Sequence, residues 1–136
     1  MDLYAENILD HYKHPRHAGR LKHPTISRRE ENASCGDDLL VDLEIELDVI
    51  KDVAWEGKGC AISQAAMSLL SEELKGKTCS EVTALKADAV LSLLGVPVGS
   101  RRTKCALLCL HTLKNAIRIM MKQSPQSWLE TVGLGN

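Results

Sequence analysis

Residues 41–56 read VDLEIELDVIKDVAWE, and this stretch decides the fold. Val41, Leu43 and Ile45 alternate with acidic residues, which is the period of a half-buried antiparallel strand. A turn follows, and a second strand is predicted from Val49 to about Glu56. The acidic residues of the first strand are expected on its solvent face: Asp42, Glu44 and Glu46. The stretch therefore predicts a β-hairpin.

Patterns on both sides of the hairpin complete the expected elements. Before the hairpin we expect a helix from Leu3 to about Tyr12 and a weak edge strand from about Thr25 to Glu30. After it we expect a helix that follows Cys60 and is closed by Gly76, and a capping box at Thr78-Cys79-Ser80-Glu81. A short helix ending near Gly95 and a long helix from about Lys104 to Lys122 complete the prediction. Strands followed by helices predict an α+β fold in one domain spanning residues 1–136. A small antiparallel sheet of about three strands would pack against several helices.

The composition limits the class of function. The 136 residues carry 17 Lys and Arg against 18 Asp and Glu, a formal net charge of -1. The interspersed charges leave no basic patch for a nucleic acid or a membrane surface. No stretch approaches the length of a membrane span, and the first residues are not signal-like, so a cytoplasmic location is expected. Five cysteines fit thiol or metal chemistry better than a disulfide framework.

Three cysteines lie in separate segments that glycine or basic residues flank. The segments are Ser34-Cys35-Gly36-Asp37, Gly57-Lys58-Gly59-Cys60 and Arg102-Thr103-Lys104-Cys105. In an extended Cys35-Gly36-Asp37 the cysteine and aspartate side chains would lie on the same side, and the hairpin would bring them near Cys60. A soft cation or an iron–sulfur unit needs such convergent thiolates. Cysteines that serve only as small buried residues are the alternative interpretation.

The sequence motifs around these cysteines resemble those of a known family. Tyr4 to Tyr12, Ser34 to Asp37, Glu56 to Ser63 and Lys104 to Leu108 occur in the order found in the U-type iron–sulfur cluster assembly scaffolds, namely IscU, SufU and the N-terminal domain of NifU. The resemblance runs nearly end to end. It implies an α+β fold. It also implies a ligand set in which Asp37 is the labile fourth ligand or a gate on cluster release: Cys35, Asp37, Cys60 and Cys105.

The resemblance implies a function as well. A scaffold would accept sulfur from a cysteine desulfurase, build a [2Fe–2S] cluster and pass it to apo iron–sulfur proteins, without turnover chemistry beyond sulfur acceptance. The SufU-like wording Arg102-x-Lys104-Cys105 supports an alternative, a zinc-dependent sulfurtransferase that holds Zn²⁺ with the same four ligands. A structural zinc protein is disfavoured because closed structural sites prefer Cys and His. A hydrolytic metalloenzyme is disfavoured because an H-E-x-x-H motif is absent.

Two departures from the family pattern are informative. Lys104 stands where IscU proteins carry a histidine, and residues 94–102 read LGVPVGSRR where IscU proteins carry the Leu-Pro-Pro-Val-Lys stretch that docks a dedicated Hsp70-type chaperone. That chaperone is therefore not an expected partner. The insertion that SufU proteins carry between their second and third cysteines is also absent. The sequence leaves open whether the chain forms a homodimer.

Cys105 is the predicted first sulfur acceptor. It lies at an expected helix start, and Lys104 and Arg102 would add positive charge that lowers its pKa. The alternative is that both are ordinary solvated bases. Cys109, one turn further along the helix, is interpreted as a buried apolar residue rather than a resolving thiol. Cys79 is interpreted as incidental.

Overall fold

The computed structural model describes residues 3–133. Within them the chain forms three strands, β1 (Ile26–Asn32), β2 (Asp37–Glu46) and β3 (Val49–Lys58). The same residues contain six α-helices: α1 (Leu3–Lys13), α2 (Ala61–Ser71), α3 (Cys79–Thr83), α4 (Ala87–Leu94), α5 (Thr103–Met120) and α6 (Trp128–Val132). The predicted α+β class is confirmed. The expected domain ends at residues 1 and 136 lie outside the described part of the chain.

The sheet is antiparallel with the strand order β1-β2-β3. In its register Asn32 pairs with Asp37, and Asp38 pairs with Lys58. The turn between β1 and β2 and the end of β3 therefore lie at the same edge of the sheet. The predicted hairpin is confirmed, but β2 begins at Asp37, so Asp37 is a strand residue rather than a loop residue.

The loop between β2 and β3 explains the tightness of the hairpin. Leu47 and Asp48 have φ angles of 49° and 66°, so both residues are left-handed. Two consecutive left-handed residues match the right-handed twist of paired strands. The hairpin thus returns the chain directly to the edge from which β2 began.

Helix α5 forms the centre of the core. Its residues from Cys105 to Ile117 are all buried. It packs against β1 and β2 on one side and against α2 on another. The sheet contributes buried side chains from its inner face: Leu39, Val41, Leu43, Val53 and Trp55. A helix buried on all sides is a fixed support, so Cys105 at its start is held firmly.

Asp42 corrects the expected solvent face of β2. It is buried, and its Oδ2 accepts hydrogen bonds from Arg20 Nε at 2.7 Å and from the Leu21 amide at 3.0 Å. Its Oδ1 accepts one from Ser27 Oγ at 2.6 Å. Burial alone would raise its pKa, but these donors and the charge of Arg20 outweigh burial, and the pKa is lowered. Arg20 lies between α1 and β1, so a loop covers this carboxylate.

Helix α1 buries less apolar surface than its sequence predicts. Ile8 and His11 are buried, whereas Leu3, Leu9 and Tyr12 are exposed. The stripe that packs against α2 therefore includes a polar residue, which an apolar pattern cannot reveal. None of the helices in residues 3–133 is long and apolar enough to cross a membrane.

The helix ends agree with the sequence in most places. The capping box of Thr78 and Glu81 is present, and Gly95 ends α4 with a φ of 69°. Helix α2 ends at Ser71, earlier than predicted, and Gly76 lies in the following turn, where its amide donates to the Ile50 carbonyl. The predicted long helix is α5, which begins at Thr103, close to the expected start, whereas the short helix α6 that follows it was not predicted.

Candidate metal centre

Three potential metal ligands converge at the edge of the sheet where β2 begins. Cys35 lies in the turn between β1 and β2, Asp37 is the first residue of β2, and Cys105 lies in the first turn of α5. One ligand atom from each residue lies within 4.8 Å of the other two. Thiolate sulfur and carboxylate oxygen are both ligands of Zn²⁺, and thiolates also hold iron–sulfur clusters. The donor set therefore fits either occupant.

Cys60 belongs to the same end of the molecule but stands slightly apart. It is the N-cap residue of α2 and is half-buried. It lines a cavity of about 370 Å³ together with Cys35, Cys105, Arg101 and Arg102. Its sulfur is not in the three-residue group above. The sulfur of Cys60 would coordinate a bound ion or cluster from across this cavity.

Asp37 is a buried carboxylate held by neutral donors. It is 1% exposed, and its Oδ1 accepts hydrogen bonds from the Cys60 amide at 2.9 Å and Ser63 Oγ at 3.2 Å. Its Oδ2 accepts one from Asn32 Nδ2 at 3.3 Å. Among residues 3–133 no cationic side chain forms an ion pair with it. A buried carboxylate without a cation is a position that a metal ion would stabilise.

Gly59 makes the close approach to Asp37 possible. Its φ is +139°, a conformation that side-chain-bearing residues rarely adopt. A Cβ atom at this position would lie 2.2 Å from Asp37 Oδ1 and 2.9 Å from Asp37 Cα. The glycine before Cys60 is therefore required by the packing of the loop against the carboxylate.

The turn that carries Cys35 is not extended. Gly36 has a φ of +72°, so it is left-handed, and the expectation of an extended Cys35-Gly36-Asp37 is wrong. The Cys35 amide donates to the Asn32 carbonyl at 3.2 Å. The two side chains meet because the turn reverses the chain, not because they share one face of a strand.

The surroundings of Cys105 raise the pKa of its thiol. It is 1% exposed, and burial raises its pKa, as do hydrogen bonding with Asp37 and Cys35 and the charge of Cys60. This direction is opposite to the lowering that a helix start and basic neighbours predict. A thiol that coordinates a metal ion binds as the thiolate and releases its proton to solvent, so metal binding would ionise Cys105.

The basic residues divide between two faces of the α5 start. Arg102 lines the cysteine cavity, as does Arg101, which the sequence interpretation omitted. Lys104 Nζ instead lies 5.6 Å from the centre of the Trp128 ring. This contact does not support a role for Lys104 in activating Cys105, because it directs the ammonium group to α6.

Two further residues of the site had no predicted role. Asn32 Nδ2 contacts both Asp37 Oδ2 and, at 3.6 Å, Cys105 Sγ. Ser63 Oγ donates to Asp37 and also reaches the Cys60 carbonyl at 3.1 Å. A polar residue just before the cysteine turn was the only sequence signal for Asn32. Ser63 is the last residue of the Glu56 to Ser63 motif that resembles the family, but its position in the sequence did not indicate a contact with Asp37.

The other two cysteines are buried elsewhere in the core. Cys109 is 0% exposed and Cys79 is 1% exposed. Burial raises the pKa of Cys109 to about 12 and that of Cys79 to about 11. Both therefore have the character of apolar buried cysteines.

Comparisons with known proteins identify the family. The NifU-like N terminal domain matches residues 3–126. The chain is 32% identical over 132 residues to the iron–sulfur cluster assembly scaffold protein IscU of Thermotoga maritima, covering 85% of this chain and 93% of that one. It is 31% identical over 134 residues to the zinc-dependent sulfurtransferase SufU of Bacillus subtilis, covering 85% and 89%.

A solved structure agrees with these matches. It is that of a putative iron–sulfur cluster assembly scaffold protein for the SUF system from Fervidobacterium islandicum AW-1, with a TM-score of 0.74 and 30% identity, covering 82% of this chain and 94% of that one. This chain belongs to the NifU-like N-terminal domain family, in which the IscU and SufU proteins are found.

Proposed function

We propose that this chain is a scaffold for iron–sulfur cluster assembly. It accepts sulfur from a cysteine desulfurase, holds a [2Fe–2S] cluster as cargo and passes the cluster to apo-proteins. One observation carries the proposal: the ligand atoms of Cys35, Asp37 and Cys105 lie within 4.8 Å of one another beside the cavity that Cys60 lines. The relationship to IscU and SufU proteins supports the same function.

The site suits cargo that must later leave. Three thiolates would supply strong bonds to iron, while the Asp37 carboxylate is a harder and weaker ligand. Asp37 also has donors in the protein, namely Asn32, Ser63 and the Cys60 amide. An oxygen that leaves the metal can return to these hydrogen bonds at low cost. Asp37 is thus our candidate for the ligand that controls release.

Cys105 remains the proposed first sulfur acceptor. Its thiolate would attack the outer sulfur of a desulfurase persulfide, forming a new S–S bond while the desulfurase thiolate leaves. The raised pKa of Cys105 means that it must first lose a proton. The alternative acceptor is Cys35, which is exposed.

Mass spectrometry of protein treated with desulfurase and cysteine would locate the added sulfur. We expect it on Cys105 in the metal-loaded protein. Sulfur found on Cys35 or Cys60 and never on Cys105 would contradict the assignment. Cys109→Ser is the matched control, since it removes a buried thiol from the same helix without touching the site.

Arg102 is the proposed cationic partner of the site. It lines the cavity, so its guanidinium can offset the negative charge of several thiolates. Arg102→Met should slow persulfide capture, whereas Lys104→Met should have a smaller effect because Lys104 contacts Trp128. Equal losses in both variants would remove the distinction and restore a role for Lys104.

A zinc-dependent sulfurtransferase is the second candidate. The close group of two sulfurs and one oxygen suits a single tetrahedral ion, with Cys60 as the fourth ligand. Zn²⁺ would supply the positive charge that ionises Cys105. In this case Asp37, Asn32 and Ser63 would keep the site in shape while one thiolate takes the persulfide.

One experiment separates the two candidates. The protein as isolated is analysed for metal, and the metal-free protein is then reconstituted anaerobically with iron, cysteine and a desulfurase. A cluster that transfers to an apo-ferredoxin supports the scaffold. Tightly held zinc that accelerates the desulfurase, with no transferable cluster, supports the sulfurtransferase. A desulfurase and apo iron–sulfur proteins are the proposed partners, and a cytoplasmic location remains a prediction.

A further inference from the structure

A second cavity lies away from the cysteines. Its volume is about 640 Å³, larger than the 370 Å³ of the cysteine cavity. It lies where the start of α4, the middle of α5 and the segment around α6 meet. Its lining includes hydroxyl, amide and charged side chains: Thr83, Lys86, Asp88, Lys114, Gln126 and Thr131. A polar cavity of this size is large enough for a small organic anion.

Lys114 is the residue of this cavity that most favours a bound ligand, because its charge has no partner in the described chain. The residue is only 9% exposed, although it carries an ammonium group. No hydrogen bond or ion pair joins it to another residue in the described range 3–133. Burial lowers its pKa, and the positive charges of Arg118 and Lys86 lower it further. The ammonium nitrogen itself is not among the buried polar atoms that lack a partner, so the side chain is packed along its length while the nitrogen reaches the solvent of the cavity, where an anion could pair with it.

The start of α4 presents further donors to the same cavity. Lys86 is the N-cap residue of this eight-residue helix, and its side chain makes no capping hydrogen bond. The amides of Ala87 and Asp88 have no acceptor among the described residues, and both residues line the cavity. Free amides at a helix start, together with the positive end of the helix dipole, favour an anion.

Neither acidic residue of the lining forms an ion pair with Lys114 in the described range. The Glu130 carboxylate keeps its charge but is held in the cap of α6, where it accepts hydrogen bonds from the Ser127 amide at 3.2 Å and Ser127 Oγ at 3.3 Å. Asp88 is exposed and forms no ion pair with any residue in the described range. The positive charge of Lys114 is therefore left for a ligand from outside the chain.

We propose that this cavity binds the phosphate group of a small phosphorylated molecule, with Lys114 as the unpaired cation and the free amides at the α4 start as further donors. A lysine as a point charge beside free amides at a helix start is the combination that proteins use for phosphate. The remaining volume would hold the rest of the molecule against Gln126 and Thr131. This site is additional to the proposed cluster chemistry and independent of it.

The test uses inorganic phosphate and pyrophosphate at fixed ionic strength. Each is titrated into the full-length protein while the melting temperature and the amide ¹H–¹⁵N spectrum are recorded. Phosphate should raise the melting temperature and shift the amides of Ala87, Asp88 and Thr131. Lys114→Met keeps a similar shape without the charge, and it should weaken the affinity by about tenfold or more. Lys86→Met should weaken it by a few-fold, since this side chain is exposed.

Lys51→Met is the matched control. Lys51 is exposed on β3 and has no ion pair among the residues described, so its loss should leave the affinity unchanged. The proposal fails if Lys114→Met responds to phosphate as the unaltered protein does, or if the shifted amides are those of Arg101 and Arg102. It also fails if chloride gives the same response, which marks a non-specific salt effect, or if citrate binds and phosphate does not, which marks a carboxylate site.

Discussion

Strand β2 carries two buried aspartates that differ in how their negative charge is compensated. Asp37 is 1% exposed and Asp42 is 0% exposed. Asp42 is paired with the guanidinium of Arg20 and accepts two further hydrogen bonds. Within residues 3–133, the hydrogen bonds that Asp37 accepts come from neutral groups and it has no ion pair. The described chain supplies the counter-charge at Asp42, whereas at Asp37 a bound metal would supply it under the proposed function.

We propose that this difference separates a structural carboxylate, Asp42, from a ligand carboxylate, Asp37. Burial by itself does not distinguish them, and neither does the number of hydrogen bonds. The distinguishing feature is whether a cation of the chain lies beside the carboxylate. Removing or adding such a cation should therefore convert one kind of site into the other.

The largest expected effect follows from removing the cation at Asp42. Arg20→Met would leave the Asp42 carboxylate buried without a counter-charge, as Asp37 is now. We expect the largest loss in the free energy of unfolding of this series, because a buried carboxylate without a counter-charge is strongly destabilising, although water that reaches the half-exposed guanidinium reduces the effect. Urea denaturation of the metal-free protein measures this loss. Adding Asp42→Asn to the variant should restore part of the stability, and a double variant less stable than Arg20→Met would contradict the charge argument.

A smaller effect is expected where Asp37 meets the loop of Cys60. Gly59→Ala would place a methyl group against Asp37 and force an unfavourable φ, which we expect to cost about 2 kcal/mol of stability. Zinc affinity should fall with it, because Asp37 and Cys60 move apart. Calorimetric titration with zinc and urea denaturation measure the two losses.

Gly36→Ala is the control for backbone strain alone. Gly36 also has a positive φ, but a Cβ there would meet nothing within 4 Å. Its cost should be nearer about 1 kcal/mol. If both alanine variants lose zinc equally, the contact between Gly59 and Asp37 is not what holds the site.

The next effect concerns the cargo. In Asp37→Ala, a reconstituted cluster should persist longer and transfer about tenfold more slowly to an apo-ferredoxin, since a tenfold rate change needs only about 1.4 kcal/mol. Asp42→Asn should leave the transfer rate unchanged. Visible absorbance of the cluster and the rate of ferredoxin maturation are the measurements. An Asp37→Ala protein that assembles no cluster at all would make Asp37 a ligand required for entry instead of a release gate.

The smallest effect is in the acid dependence of stability. The pKa of Asp42 is lowered from its ordinary value of 3.8, so its stabilising contribution is present above that value and is lost as the pH falls through the lowered pKa. In Arg20→Met, burial should dominate and raise the pKa of Asp42. The difference in stability between the two proteins should then shrink as the pH falls from 7 to 3. A difference that stays constant would show that Arg20 acts through packing alone.

The sequence predicted the β-hairpin that positions two of the cysteines. Period-two alternation from Val41 onward identified the hairpin, and the positions of Cys35 and Cys60 at its two ends followed from antiparallel pairing. These features are local, or depend on one turn. The position of Cys105 came from the family resemblance, because no local pattern relates the start of α5 to the sheet edge.

The misses share a physical cause. The burial of Asp42 depends on Arg20, which a loop brings from outside the sheet, and alternation along one strand cannot report a cover supplied by another segment. The contact of Lys104 with Trp128 in a later helix was likewise not predicted, while the role of Lys104 beside Cys105 stays a prediction. The raised pKa of Cys105 results from its burial beside Asp37 and Cys35, whereas helix position and neighbouring charge in the sequence predict a lowering. Each error concerns a side chain whose partner is distant in sequence.

The placement of Cys105 and Cys35 also has a kinetic consequence. Cys105 begins a helix that is buried through Ile117, whereas Cys35 lies on an exposed turn. We therefore expect fluctuations that open the site without unfolding the domain to be confined to the Cys35 side, since the amides of a core helix exchange their hydrogens only in large-scale openings. For the proposed scaffold function, we expect the cluster to enter and leave past this turn, at a rate set by opening of the turn and not by the stability of the core.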